Sequence, residues 1–238
     1  MSAPQSPKFP PQTLLFDADD TLWENNIYFE RAIAAFISYL DHRVHNAEEV
    51  REHLNLVERA TISRHGYGLK SFHRSLVTCF EELTLAPVSE EKHRRIVSFA
   101  ESIAEQEIEL LPGVAETLPK LAERHRLHMI TKGDPDEQTD KLERSGLRPY
   151  FEEVEILAEK SEAAYRALIE QHGFERGSTW MIGNSPRSDI NPTLAAGLNA
   201  VFIPHDFTWV LEHEVVEAPP KGRTLLELSG FAELLRHF

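Results

Sequence analysis

Short apolar runs alternate with amphipathic stretches through the second half of this chain, and few folds accommodate that alternation. The runs are Leu14–Phe16, Leu127–Thr131, Val154–Leu157, Thr179–Ile182 and Ala200–Ile203, each bounded by Gly, Pro or Asp. Their brevity and continuous apolarity fit strands buried on both faces of a parallel sheet. Helix-like stretches lie between them: Val114–Arg124 after Pro112-Gly113, Glu137–Ser145 before Gly146, Ser161–His172 before Gly173, and Pro192–Ala196 before Gly197. A glycine just past a helix ends it because it adopts the left-handed conformation without steric cost. From about Leu110 onward, strand–helix–strand alternation predicts an α/β fold, a doubly wound parallel sheet wrapped by helices. Ligands of such sheets bind outside the carboxyl ends of the strands.

The stretch from Glu24 to about Ile108 breaks the rhythm. It is poor in strand signals and reads as helices over Phe29–His42, Ala47–Ser63, Lys70–Leu83 and Glu90–Glu107. The expected organisation is therefore an α/β core over 13–22 and 108–238, a helical insert over 23–107 able to cover the site, and a loose Pro-rich tail over 1–12. Phe29, Phe36, Phe72 and Phe80 are expected to pack the core of the insert. The segment Arg64–His73, with Gly66, Tyr67, Gly68, Lys70 and His73, reads first as a helix–helix connection and second as a group of substrate contacts. His42 and His45 have helix-face spacing, with no further ligands beside them.

Composition removes several functions. A formal net charge of -14 over 238 residues argues against a nucleic-acid backbone or an anionic membrane as partner. Cys79 is the sole cysteine, so neither an intrachain disulfide nor a thiolate metal cluster is available. No apolar run approaches transmembrane length and no signal-peptide pattern is seen, so a cytoplasmic location is expected.

The chemistry concentrates in DADDTLW, Asp17–Trp23, directly after the first apolar run. In an extended chain residues i and i+2 face the same way, so Asp17 and Asp19 can point into one site. Two adjacent carboxylates repel unless one is protonated or a cation intervenes. The pair suits acid/base work or a hard metal ion; by itself it is also compatible with a turn cap after a strand. Three further positions fall at expected strand ends, in chain order: Thr131 in MITKGD, Lys160 in AEKSEA, and the loop Gly183–Asp189 in MIGNSPRSDINP.

This set, in this order, resembles the haloacid dehalogenase (HAD) superfamily over residues 13–22 and about 108–205, with the insert placed where helical-cap members carry theirs. The resemblance implies a Rossmann-like core and the following roles. Asp17 would be the nucleophile, forming an aspartyl phosphate, and Asp19 the general acid/base. Thr131 would hold a phosphate oxygen, and Lys160 would offset the charge of Asp17 and of the phosphoryl group. Lys141 is the nearest alternative to Lys160 but falls in mid-helix. Lys132 would add charge near the phosphate or face solvent. Arg187 would reach the phosphate or an insert residue, or lie on the surface. Mg²⁺, with Mn²⁺ as the substitute, would bind Asp17, the Asp19 backbone carbonyl, and Asn184 or Asp189. Asn184 departs from the family, which commonly has Asp there; an amide oxygen can still bind Mg²⁺ but brings no formal charge, which bears on metal affinity rather than on metal identity. His205-Asp206 follows the fifth run and could border the site.

The implied activity is Mg²⁺-dependent hydrolysis of a small phosphorylated metabolite. An Asp two residues after the nucleophile favours phosphoryl chemistry over halide displacement, because a halide leaves without protonation. A phosphomutase, a 2-haloacid dehalogenase and a phosphate-ligand sensor with a weakened site remain as alternatives. Oligomeric state has no signature in the sequence.

Overall fold

The computed structural model describes residues 10–40, 44–85 and 87–238. Most of the expected tail (residues 1–9) and His42 lie outside the described residues. Six strands form one parallel sheet: β1 Thr13–Phe16, β2 Arg126–Lys132, β3 Glu153–Leu157, β4 Thr179–Gly183, β5 Asn199–Phe202 and β6 Leu225–Glu227. The order is β3-β2-β1-β4-β5-β6. The chain winds outward from β1 to β3, then returns past β1 to begin the other half at β4. Strand β1 is therefore central, hydrogen-bonded to β2 on one side and β4 on the other, with Phe16 in register with Met129 and Ile182. Its C-terminal end lies at the topological switch point, where the two halves diverge and leave a crevice.

Alternation along the strands divides the core. Leu14 and Phe16, with Leu127, Met129, Ile182 and Val201, pack on one face beneath helix α5 (Val114–Ala122, counting the insert's four helices as α1–α4), α6 (Pro135–Ser145) and the C-terminal turn Phe231–Arg236. Leu15, Ile130 and Met181 pack on the other face against Tyr165, Leu168 and Ile169 of α7 (Glu162–His172). Period-two burial on both faces is what a sheet clad in helices requires.

The insert consists of α1 Asn26–Tyr39, α2 Ala47–His65, α3 Leu69–Thr84 and α4 Glu90–Ala104. These helices bury their own apolar cluster, including Ile33, Phe36, Leu54, Phe72, Leu76, Phe80 and Ile96, with Phe29 packed against it. The four phenylalanines thus pack as expected. Cys79 is buried in the same cluster, and burial pushes its thiol up to about 12. The chain leaves and re-enters the core through two paired linkers. Trp23 bridges Leu110, Glu24 N–H donates to the Glu109 carbonyl (2.9 Å), and Leu111 N–H donates to the Leu22 carbonyl (3.0 Å). No helix among the described residues is long and apolar enough to cross a membrane.

The differences from the sequence reading have local causes. Helix α1 begins at Asn26 rather than Phe29, because the Asp20 carboxylate accepts the N–H groups of Asn25 (2.9 Å) and Asn26 (3.0 Å). Helix α6 begins at Pro135 rather than Glu137. Asp134 caps it by accepting from Asp136 and Glu137, and proline suits a first turn that needs no N–H. Strand β6 was not expected; it is three residues long, only half-buried, and its identity rests on pairing with β5. Pro186–Ile190 forms a π-helical turn before the short helix α8, Asn191–Ala195.

His128, in the middle of β2, is buried with neither ring nitrogen hydrogen-bonded. Burial, and Arg126 nearby, depress its pKa. The unfolded chain therefore binds this proton first as pH falls. The stability tied to neutral His128 is fully present above the ordinary histidine value of about 6.5, and is lost as pH drops toward the folded value. Urea denaturation of the parent and of His128→Leu at pH 7.5 and 5.5 should show a smaller acid-induced loss in the variant. Equal losses in both would refute the assignment.

Candidate active site

The cavity at the switch point holds about 160 Å³ and lies between the carboxyl ends of β1, β2 and β4 and the insert helices α1–α3. Asp17, Asp19, Thr131, Lys132, Lys160, Asn184 and Asp189 all line it. Seven residues scattered over 173 positions of sequence are brought together by the parallel register, since each follows or ends a strand that points the same way.

A buried charge cluster forms the floor. The Lys160 ammonium is hydrogen-bonded to Asp17 Oδ1 and, at 2.7 Å, to Asp189 Oδ1. The Lys160 and Asp189 side chains are both 1% exposed. Burial works against the charge on Lys160, but the two carboxylates outweigh it and raise its pKa. Burial, then the neighbouring Asp17 charge, pushes Asp189 up to about 7 despite Lys160. Asp189 also accepts from Ser185 N–H (2.9 Å). Gly183, which ends β4, makes room for it: a Cβ there would lie 2.3 Å from Asp189 Oδ2. The loop glycine is thus a steric requirement of close approach rather than of an unusual φ. The Thr21 hydroxyl lies 3.0 Å from Asp17 Oδ2 and 3.2 Å from Asn184 Oδ1, drawing those two oxygens toward one point. The Asn184 amide donates to Thr208 Oγ1 (3.0 Å), which fixes which end of the side chain faces Asp17.

Asp19 belongs to a second cluster on the same cavity. Its carboxylate accepts from Lys141 Nζ (2.8 and 2.9 Å), Trp23 Nε1 (2.7 Å) and Gln138 Nε2 (2.8 Å). Burial alone would raise its pKa; the Lys141 charge and these hydrogen bonds reverse that and hold it below the usual value. Lys141 is therefore no substitute for Lys160. The two lysines divide the aspartates, Lys160 taking Asp17 and Lys141 taking Asp19. Gln138 and Lys141 stand three residues apart on α6 and so share one helix face. That spacing is a readable signal, but only the docking of α6 shows that the face looks at Asp19.

The remaining expected residues divide. Thr131 is buried at the end of β2, beside the cavity. Lys132 also lines it, but its charge is engaged by Glu212 (2.6 Å), Ser188 Oγ (2.8 Å), Tyr67 Oη (3.2 Å) and Glu159 (3.4 Å). Arg187 requires a correction. It is exposed, donates to the Leu211 carbonyl (3.1 Å) and does not line the cavity, because the π-helical turn carries it outward while turning Asp189 inward. His205 lies beside the linker, 3.3 Å from Glu24 Oε2 and 3.9 Å from Asp20 Oδ1. Those three residues, and not the floor, form the tight group of acidic and histidine ligand atoms among the described residues. Asp20, however, is spent on capping α1.

Several contributors gave no clear signal in the sequence. Glu212 accepts from Lys132, Ser185 Oγ (2.6 Å) and Ser188 Oγ, tying the loop after β5 to the floor. The connection between α2 and α3 turns at Gly68 and closes on the core, where Leu69 N–H donates to Glu137 (3.0 Å) and Tyr67 donates to Glu159 (2.8 Å). Within segment 64–73 only residues 66–68 connect the two helices, the rest belonging to the end of α2 and the start of α3, and the connection walls the cavity through Tyr67 and Gly68.

The chain is similar to known proteins. The profile of haloacid dehalogenase-like hydrolases matches residues 11–197. Among curated relatives, pyrimidine 5'-nucleotidase PynA of Streptococcus pneumoniae is 34% identical over 137 residues, covering 55% of this chain and 54% of that protein. N-acylneuraminate-9-phosphatase of Mus musculus is 31% identical over 100 residues, 40% of each chain. The chain thus spans about half the length of the curated relatives named here, or less. A haloacid dehalogenase-like family hydrolase from Xanthomonas campestris superposes with a TM-score of 0.78 at 30% identity over 96% of both chains. The magnesium-bound putative HAD-hydrolase YfnB of Bacillus subtilis superposes with a TM-score of 0.64 at 19% identity, covering 96% of this chain and 99% of that one; it shares the fold.

Removing the shared cation should expose the cost of the floor. Lys160→Met leaves Asp17 and Asp189 buried without compensation and should destabilise the protein by about 3–5 kcal/mol. Adding Asp189→Asn to that variant should recover part of the loss. Urea denaturation at pH 7.5 measures both, and a Lys160→Met loss below about 1 kcal/mol, the scale of an exposed pair, would show that the cluster is not a coupled unit.

Proposed function

The chain belongs to the haloacid dehalogenase-like hydrolases, and from that premise we propose that it hydrolyses a small phosphomonoester through an aspartyl phosphate on Asp17. One observation carries the reading. Asp17 stands at the switch point with Lys160 on one carboxylate oxygen and the Thr21 hydroxyl on the other, at the bottom of a cavity that also holds Asp19. A carboxylate oriented by two donors is positioned as a nucleophile, and attack on phosphorus divides hydrolysis into two displacements. The names of the curated relatives, a 5'-nucleotidase and a 9-phosphatase, support the phosphoester class.

Lys160 carries charge that the incoming phosphoryl oxygens need, and it stays protonated in the buried site. Thr131, at the end of β2, would hold a phosphoryl oxygen. Lys132 would do so only by exchanging part of its contact with Glu212. Asp19, held ionised by Lys141, is ready to take a proton from the water that cleaves the intermediate. Phosphate bound beside it adds negative charge, which raises its affinity for the proton that the leaving alkoxide requires.

The donors fit Mg²⁺. Asp17, Asn184 and Asp189 offer only oxygen, and Asp17 and Asn184 converge on one hydroxyl. These residues and the Asp19 backbone carbonyl would hold the ion. When bound, Mg²⁺, or Mn²⁺ in its place, would supply charge neutralisation to the phosphoryl group. Asn184 lowers the formal negative charge of the set.

Asp17→Asn should reduce phosphate release from a small phosphoester, measured with Mg²⁺, by at least about 10³-fold, while melting as a folded protein. Turnover equal to the parent would remove Asp17 as nucleophile. An isomeric phosphoester in place of free phosphate would identify a mutase, and chloride released from a 2-haloacid a dehalogenase.

A further inference from the structure

The end of the cavity farthest in sequence from the catalytic loops is built from the insert. Phe29 and Ile33 of α1, Ile62 of α2 and Phe72 of α3 make it apolar. Into this wall α2 places Glu58, which is 5% exposed. Its Oε2 atom is buried and has no hydrogen-bond partner. A buried carboxyl oxygen without a partner is costly, so it needs an explanation.

The neighbouring cation does not provide one. Arg51, seven residues earlier on α2, is already committed. Both terminal nitrogens of its guanidinium bond the Glu30 carboxylate, one at 2.8 Å, and its Nε donates to Asn55 (3.0 Å). Nor does the hydroxyl of Ser75, on the same wall, since it donates to the Ser71 carbonyl (2.9 Å). Burial pushes the Glu58 carboxyl up to about 7, with Arg51 opposing and Glu30 reinforcing the shift. An apolar helix could have met the same wall with leucine at no such cost.

We infer that Glu58 is a specificity residue of this site, accepting a hydrogen bond from an N–H or O–H donor on a ring-bearing leaving group of the substrate phosphoester. The inference rests on the phosphoester reading above. Phe29, Phe72, Ile33 and Ile62 suit the faces of a ring, which a polyhydroxylated chain would not match, since its hydroxyls would be buried without partners. Glu58 reads the donor edge. A leaving group without a donor leaves Oε2 orphaned and is discriminated against for that reason.

The test compares the parent, Glu58→Leu and Glu58→Gln on four probes. 4-Aminophenyl phosphate carries a ring with N–H donors, 4-(hydroxymethyl)phenyl phosphate a ring with an O–H donor, phenyl phosphate a ring with neither, and phosphoglycolate no ring. The parent should favour a donor-bearing ring over phenyl phosphate, and the preferred arm tells nitrogen from oxygen. Glu58→Leu should lower kcat/KM for the preferred probe by about tenfold or more, chiefly through KM, and leave phenyl phosphate within roughly twofold. Glu58→Gln, which keeps an acceptor oxygen, should retain most of the preference. Glu58→Leu should melt no lower than the parent, because it removes a buried, unpaired carboxyl. Equal effects of Glu58→Leu on all four probes, or a parent indifferent to the donor, would overturn the inference while leaving the hydrolase reading intact. If no probe is hydrolysed but donor-bearing rings raise the melting temperature of the parent and not of Glu58→Leu, the hydrolase reading falls and the subsite stands.

Discussion

The ammonium of Lys160 holds two carboxylates that would otherwise not tolerate each other. Asp17 follows β1 and Asp189 sits in the turn after β4, on adjacent strands of one sheet. Buried like charges at this spacing repel strongly, and one cation between them converts repulsion into a cross-link. Much of the local architecture serves that contact. Gly183 lacks a side chain so that Asp189 can approach, the π-helical turn points Asp189 inward, and Ser185 N–H holds its second oxygen.

The second cluster repeats the device with different partners. Asp19 is held by Lys141, Gln138 and Trp23, all outside the floor. Two aspartates two residues apart therefore have separate cations and separate environments. On the proposed reaction, keeping them apart would let one serve as an oriented nucleophile and the other exchange protons, a division that a shared proton or a shared lysine would blur. Lys132 is a third cation on the cavity, half-buried and paired with Glu212, and through Tyr67 it joins the core to the insert.

The insert and the core meet through polar contacts rather than through a shared apolar core. Each has its own apolar cluster. Between them lie the paired linkers at Trp23 and Leu110, the Asp20 cap on α1, and the contact of Leu69 with Glu137.

The alternation of apolar runs and Gly-terminated helices determined the α/β class, five of the six strands and the position of the helical insert. Spacing and order sufficed to bring Asp17, Asp19, Thr131, Lys160, Asn184 and Asp189 to one cavity, because in a parallel sheet every strand delivers its end to the same edge. Tertiary structure alone decided which lysine serves which aspartate, that Arg187 points away, that Glu212 takes Lys132, and that Glu58 is left without a partner. β6 likewise exists only as a partner of β5. The reason is range. Strand and helix periods, caps and stops are written within a few residues of each other, whereas the pairing of a charge at the site depends on which helix face docks against which strand, and those partners lie 122 residues apart for Lys141 and Asp19 and 143 for Lys160 and Asp17.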